Sequence, residues 1–185
     1  MPFNPVMRRI LRFLCLVLLC VLAASTLTWG KPELSAREAF ERLKGLTGTW
    51  EVTQRDNSSA RGRAVYSQAS GGSVLTEQMM SPQGSVGMLT IYHMDGEKLV
   101  LTHYCGAGNQ PRMRMNAVHD GGRKLVFEMY DITNLASPQA YRSTGVDVVF
   151  LSDDRVNLEY RGWAEGREST QVFQLTRKKG PDQAR

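Results

Sequence analysis

The chain holds few of the groups from which catalytic and metal sites are made. Its 185 residues include three histidines and three cysteines. Cys15 and Cys20 fall within an apolar N-terminal run, so Cys105 stands alone in the remainder and no internal disulfide is expected to staple the fold. Stability then has to come from packing. The longest apolar run, Phe13–Ala24, has twelve residues, short of the roughly twenty that a bilayer-spanning helix needs. No internal repeat, low-complexity linker or coiled-coil heptad is present, and no arginine–lysine stripe suited to nucleic acid beyond the short tail Arg177-Lys178-Lys179.

What the N-terminus does carry is ordered. Arg8, Arg9 and Arg12 precede the apolar run, which ends in small residues, and Ala23 with Ser25 suits cleavage after residue 25. This order of charge, apolar stretch and small residues is that of a signal peptide, removed on export to the periplasm or medium. Cys15 follows Leu14 and Cys20 follows Leu19, which disfavours lipid attachment, and Arg12 disfavours a twin-arginine signal. Removing the three arginines takes the 23 basic residues to 20 against 18 acidic ones, about +2 in place of +5. Neither nucleic-acid binding nor stable membrane insertion is expected of what remains. Residues 33–179 are read as one domain and 180–185 as a disordered tail. The Asn57-Ser58-Ser59 sequon matters only in a glycosylating pathway.

From Leu34 to Leu46 the apolar residues recur at three and four positions, with Ser35 and Glu38 spaced as a capping box and Gly45 or Gly48 as the stop. One amphipathic helix is expected there. Beyond it the period becomes two. Strands are expected near Thr49–Gln54, Arg63–Gln68, Val74–Met80, Val86–Met94 and Leu99–Cys105, then near Arg112–His119, Lys124–Ile132, Gly145–Leu151, Val156–Trp163 and Ser169–Arg177. The links include Ser70-Gly71-Gly72, Asp95-Gly96, Asp120-Gly121-Gly122, Asp153-Asp154 and Glu165-Gly166, all turn chemistry. About ten short strands on short links describe an all-β antiparallel meander. Closing it into an up-and-down barrel removes the exposed edges of an open sheet. Two longer links, Gly106–Pro111 and Thr133–Ser143, are expected to line a mouth.

The run Leu46-Thr47-Gly48-Thr49-Trp50, placed after a helix and opening the first strand, resembles the Gly-x-Trp signature of the calycins, the lipocalin and fatty-acid-binding superfamily. The resemblance implies a calycin-like barrel in which Gly48, Trp50 and Arg177 form the structural signature, Arg177 packing over the indole. Between about Phe40 and Lys179 the chain also resembles a group of uncharacterised bacterial exported barrels, distantly similar to haem-binding nitrobindin-like barrels. No position matches the haem-ligating histidine of that group.

Tyr92 to Arg112 concentrates the remaining chemistry, with His93, His103, Cys105 and the loop Asn109-Gln110-Pro111-Arg112. A two-residue Asp95-Gly96 turn pairs Met94 with Glu97, Tyr92 with Leu99, Thr90 with Leu101, Met88 with His103 and Val86 with Cys105, and puts His93 on the other face beside Lys98. A three-residue turn puts both histidines on one face. In either register they stand too far apart for one zinc ion. His103 and Cys105, two apart in a strand, point the same way. They suit soft-metal or haem ligation, with Met88, Met113 and Met115 as further ligands, or an activated thiol; the competing reading is a buried apolar cysteine among core methionines. No third orienting group is identifiable, so no catalytic residue, metal site or obligate cofactor is assigned. Asn109, Gln110 and Arg112 either orient a ligand, Arg112 meeting an anion, or brace their own loop. Tyr160 and Trp163 fall on opposite faces of one strand, and His119 at a turn is expected in solvent. The reading that results is a barrel binding a small apolar or amphipathic molecule, oriented by Tyr92, His103, Cys105, Asn109, Gln110 and Arg112. A haem, metal or redox protein and a solid structural barrel of the cell envelope are the alternatives.

Overall fold

The computed structural model describes residues 33–178, without the side chains of residues 57–60. The expected signal peptide and the tail at 180–185 lie outside the described residues, as does the side chain of the Asn57 sequon. A helix, α1 (Ala36–Lys44), precedes ten strands: β1 (Gly48–Gln54), β2 (Asn57–Ala69), β3 (Val74–Met80), β4 (Val86–Asp95), β5 (Lys98–Tyr104), β6 (Gln110–His119), β7 (Lys124–Thr133), β8 (Arg142–Ser152), β9 (Arg155–Ala164) and β10 (Arg167–Arg177). Every strand pairs antiparallel with its sequence neighbour, and β1 pairs with β10, so the sheet is a closed barrel.

The helix is cut shorter than its apolar period by its caps. Ser35 Oγ accepts from the Glu38 amide while Glu38 accepts from the Ser35 amide at 2.8 Å, and Gly45 is the C-cap. Gly48 then enters β1 at φ 125°, a backbone region that a side chain disfavours, which accounts for glycine in Gly48-Thr49-Trp50. Trp50 is fully buried, donates Nε1–H to Leu46 O at 2.7 Å and meets Tyr66 edge to face. Arg177, its partner across the β1–β10 seam, holds its guanidinium 4.2 Å from the indole centroid and donates to Gly45 O at 2.9 Å and Thr47 O at 3.1 Å. One arginine thus joins the helix end, the first strand and the last.

The up-and-down order gives the barrel two different ends. At the α1 end the β4–β5 and β8–β9 links are two-residue turns and the β2–β3 and β6–β7 links single 3-10 turns, and Ala39, Phe40 and Leu43 of the helix join the core there. At the other end lie the longer links 81–85, 105–109 and 134–141. Between β4 and β5 the turn is Gly96-Glu97, since Asp95 pairs with Lys98. Gly96, at φ 56°, takes the first turn position, where a type II′ hairpin favours glycine. The Asp95-Gly96 turn is displaced by one residue, so the pairing sum moves by two: His103 stands opposite Thr90 and not Met88, while the residues grouped on each face stay together.

Candidate functional site

Pairing across four strands lines up a polar band inside the barrel. Tyr66 on β2 opposes Glu77 on β3, Glu77 opposes Thr90 on β4, and Thr90 opposes His103 on β5. All four are buried to 1% exposure or less. Below the band, toward α1, the interior is solid: Leu75, Leu99, Leu101, Leu125, Phe127 and Leu158 are all sealed from solvent. Tyr92 belongs to this lower layer, edge to face with Phe127, and reaches up with its hydroxyl.

Glu77 is the hub of the band. Its Oε2 accepts from Tyr66 Oη at 2.9 Å and from Tyr92 Oη at 2.8 Å, while Oε1 has no hydrogen-bond partner. Burial raises the Glu77 pKa against the lowering effect of the tyrosine hydrogen bonds, and burial with the nearby Glu77 charge raises all three interior tyrosines, Tyr66, Tyr92 and Tyr160. Thr90 Oγ1 lies 2.9 Å from His103 Nδ1, which leaves Nε2 as the histidine nitrogen without a protein partner among the described residues. Desolvation pushes the His103 pKa down to about 4, so the ring is neutral at pH 7.

Above the band the packing stops. A cavity of about 360 Å³ opens at the mouth end, with His103 and Tyr160 among its walls, Met88 and Phe173 as its apolar sides, and Cys105 and Tyr141 from the mouth loops. Tyr160 packs on His103 at 5.2 Å between ring centroids and on Phe173 at 6.0 Å. Its hydroxyl is sealed from solvent and makes no hydrogen bond of full geometry, with Thr90 and the Glu77 carboxylate close enough to act on it. Met88 and Phe173 also wall a second cavity of about 210 Å³, near Val52 and Met79, and so form the shared partition between the two.

His103 and Cys105 both line the larger cavity, as two residues on one face should. The strand nevertheless ends at Tyr104, and half-buried Cys105 belongs to a tight loop in which its amide donates to Asn109 O at 3.0 Å and its Sγ accepts from the Ala107 amide at 3.5 Å. The other polar residues of the stretch lie outside the cavity walls. Asn109, nearly sealed, donates to Tyr141 O at 2.6 Å and ties the two long mouth loops together. Gln110 donates to Gly108 O and accepts from Thr133 Oγ1, and Arg112 is hydrogen-bonded and ion-paired to Asp131, both side chains about two-fifths exposed. His93 faces away from Tyr92, its Nδ1 3.1 Å from Met94 O, and His119 is exposed. Of the methionines, Met88 alone is a wall of this cavity, while Met113 is core. Among the described residues no three His, Cys, Asp or Glu side chains converge as a metal site.

No family model matches the chain, and no curated protein matches it. Solved structures similar to it include a redesigned β-barrel, at 10% identity and TM-score 0.34 over 80% of this chain and 100% of that one. EF1p2_mFAP2b bound to DFHBI is similar at 10% identity and TM-score 0.38 over 76% and 99%. A de novo fluorescence-activating β-barrel is similar at 15% identity and TM-score 0.33 over 73% and 95%. The fold rests on the strand pairing described above, and likenesses at these TM-scores add no argument to it.

Residues that the composition of Tyr92–Arg112 does not reveal carry half of the site. Glu77, Thr90 and Tyr160 come from other strands or earlier in β4. A signal for Glu77 exists in the sequence: Leu75, Glu77 and Met79 alternate along β3, which places a carboxylate on an apolar face.

Proposed function

We propose that the protein is an exported, calycin-like barrel that holds one small apolar or amphipathic molecule in the cavity between the polar band and the mouth loops. The observation that carries this reading is the cavity itself, lined by Met88 and Phe173 with His103 and Tyr160 among its walls. Concave, mostly apolar spaces of about 300–1,000 Å³ with a few placed polar groups are the usual form of a small-molecule site. Export rests on the N-terminal charge and apolar pattern, and the calycin affinity on the arrangement of Gly48, Trp50 and Arg177. Titration of the purified protein with an environment-sensitive apolar dye, followed by native mass spectrometry, tests it. Saturable 1:1 binding that Phe173→Arg abolishes is expected; no saturable binding by either method ends this reading.

A second reading, thiol or haem chemistry, draws on one observation, that His103 and Cys105 share the cavity. Its weakness is electrostatic. A neutral imidazole does not stabilise a thiolate as an imidazolium does. Hemin titration separates the readings, since a new absorption band lost in His103→Gln supports the second.

A further inference from the structure

One wall of the mouth cavity gathers soft-metal donors of three kinds. We propose that Met88, His103 and Cys105 form a binding site for one soft monovalent cation such as copper(I), held by a thioether, an imidazole nitrogen and a thiolate, a site that goes beyond the apolar-ligand reading and does not depend on it. All three residues line the cavity, and the β4–β5 hairpin sets them together. Thr90 pairs with His103 and Leu89 with Tyr104, so the next position along the ladder brings Met88 opposite Cys105. The two backbones stay adjacent past the last pair, since a Cβ built on Gly106 would stand 3.3 Å from Gly87 O. Directly opposed side chains have Cβ atoms about 4.5–5.5 Å apart, and a diagonal neighbour at about 7–8 Å is within reach of a long side chain such as methionine. Cys105 also acts electrostatically on Tyr160, the ring that packs on His103, which puts the thiol on the imidazole's side of the cavity.

The local bonding suits each donor to a metal. His103 is 1% exposed, and its Nδ1 lies 2.9 Å from Thr90 Oγ1. Among the described residues the sealed side-chain polar atoms without a hydrogen bond are Glu77 Oε1, Asn109 Oδ1, Arg112 Nε and Tyr160 Oη. His103 Nε2 has no partner and is not one of them, so the little surface that the ring keeps includes this nitrogen, on the cavity side. An acceptor on the other ring nitrogen is what fixes tautomer and orientation in metal-ligating histidines. Burial keeps the ring neutral at pH 7, and the neutral ring is the form that ligates. The Ala107 amide donates to Cys105 Sγ at 3.5 Å, a contact that suits a charged sulfur. Charge then selects the ion. No Lys, Arg, Asp or Glu lines the cavity, and the free oxygen of Glu77 is sealed from it. One thiolate neutralises one monovalent cation, whereas a divalent ion such as zinc would leave a positive charge buried with no counter-ion. Thiolate and thioether are also the ligands that select copper(I) by their softness.

The test is made on the purified chain carrying Cys15→Ser and Cys20→Ser, in which Cys105 is the sole thiol. Copper(I) is titrated without oxygen against the chromophoric chelator bicinchoninate, and zinc(II) against a zinc indicator. Expected is one copper(I) per chain, bound more tightly than by glutathione under the same conditions and more tightly than zinc(II). His103→Gln and Met88→Leu should each weaken copper(I) binding by at least the about 10–100-fold that loss of an outer-shell partner costs, and Cys105→Ser should weaken it further. Thermal unfolding of the metal-free variants checks the fold, and because Met88→Leu nearly conserves volume its loss of affinity is not loss of structure. An affinity that falls only in Cys105→Ser, or that merely equals that of glutathione, is a plain thiol adduct and overturns the site. Zinc(II) bound as tightly as copper(I) overturns the choice of a monovalent ion. Dye binding without copper(I) binding removes this site and leaves the cavity reading standing; copper(I) binding without dye binding does the reverse.

Discussion

Tyr92 on β4 donates its hydroxyl to Oε2 of Glu77 on β3 at 2.8 Å, and through that bond the solid lower core is tied to the polar band whose His103 lines the cavity. Tyr66 donates to the same oxygen from β2. A carboxylate sealed inside a barrel is thereby held by two phenols and not by a cation, and the consequences are measurable.

Glu77→Leu leaves both phenols without an acceptor and should destabilise the fold by about 3 kcal/mol, taking a cost of about 1–3 kcal/mol for each orphaned hydroxyl. Glu77→Gln keeps an acceptor and should recover most of that loss. The pH dependence distinguishes the two states of the acid. Its folded pKa lies above the ordinary 4.5, so its contribution is full below about pH 4.5 and is lost as pH rises through the folded value. Urea unfolding of the parent and Glu77→Gln across pH 4 to 8 should show the parent losing stability relative to the variant as pH rises. Parallel curves count against a raised pKa.

His103 has the opposite sign. Its folded pKa is pushed down from 6.5 to about 4 by burial, so its contribution is full above pH 6.5 and is lost as pH falls to 4. At about 1.4 kcal/mol per pH unit the whole effect is about 3 kcal/mol. His103→Gln, which carries no charge at any pH in this range, should flatten the acid limb of the stability curve. NMR titration of the imidazole gives the same quantity directly, and an ordinary midpoint near 6.5 rules the prediction out.

Arg177 is held by geometry that lysine does not reproduce. Its side chain stacks on Trp50 and donates to two carbonyls at the end of α1, with Nε 3.3 Å from Asp153 O. Arg177→Lys should cost about 1–2 kcal/mol despite keeping the charge, and Arg177→Ala should cost more. Denaturation midpoints check both; equal stability of the lysine variant and the parent would show that charge alone matters.

Arg112 makes the contrasting prediction. Its pairing with Asp131 is well exposed on both sides, and exposed ion pairs contribute about 0–1 kcal/mol. Arg112→Ala should leave stability within about 1 kcal/mol and the affinity for the apolar dye unchanged. A marked loss of ligand affinity would return Arg112 to the binding site.

Much of this was legible along the chain because it depends on local spacing. The period-two pattern, the glycine-bearing turns and the Ser35–Glu38 cap carry the number of strands, their order and the helix. Face assignment survived a displaced β4–β5 turn because a shift of two in register preserves parity. The polar Asn109–Arg112 cluster shows the limit of such spacing. Asn109 Nδ2, Gln110 and Arg112 Nη2 are engaged by Tyr141 O, Gly108 O, Thr133 and Asp131, partners distant or loop-local that spacing along one strand does not reveal, while Asn109 Oδ1 and Arg112 Nε are buried without a hydrogen bond.

By itself the sequence determined a barrel of about ten strands with a helix before it, and that His103 and Cys105 share a face; which face that is came from the structure. Only the tertiary structure decided where the barrel is filled and where it is empty. Pairing of β2 through β5 set Tyr66, Glu77, Thr90 and His103 side by side, and the curl of the sheet into a closed barrel brought Tyr160 of β9 against His103. The physical reason is that strand periodicity sets which face a side chain occupies, whereas its height and its neighbours depend on the register of every strand between. The cavity is a property of that sum.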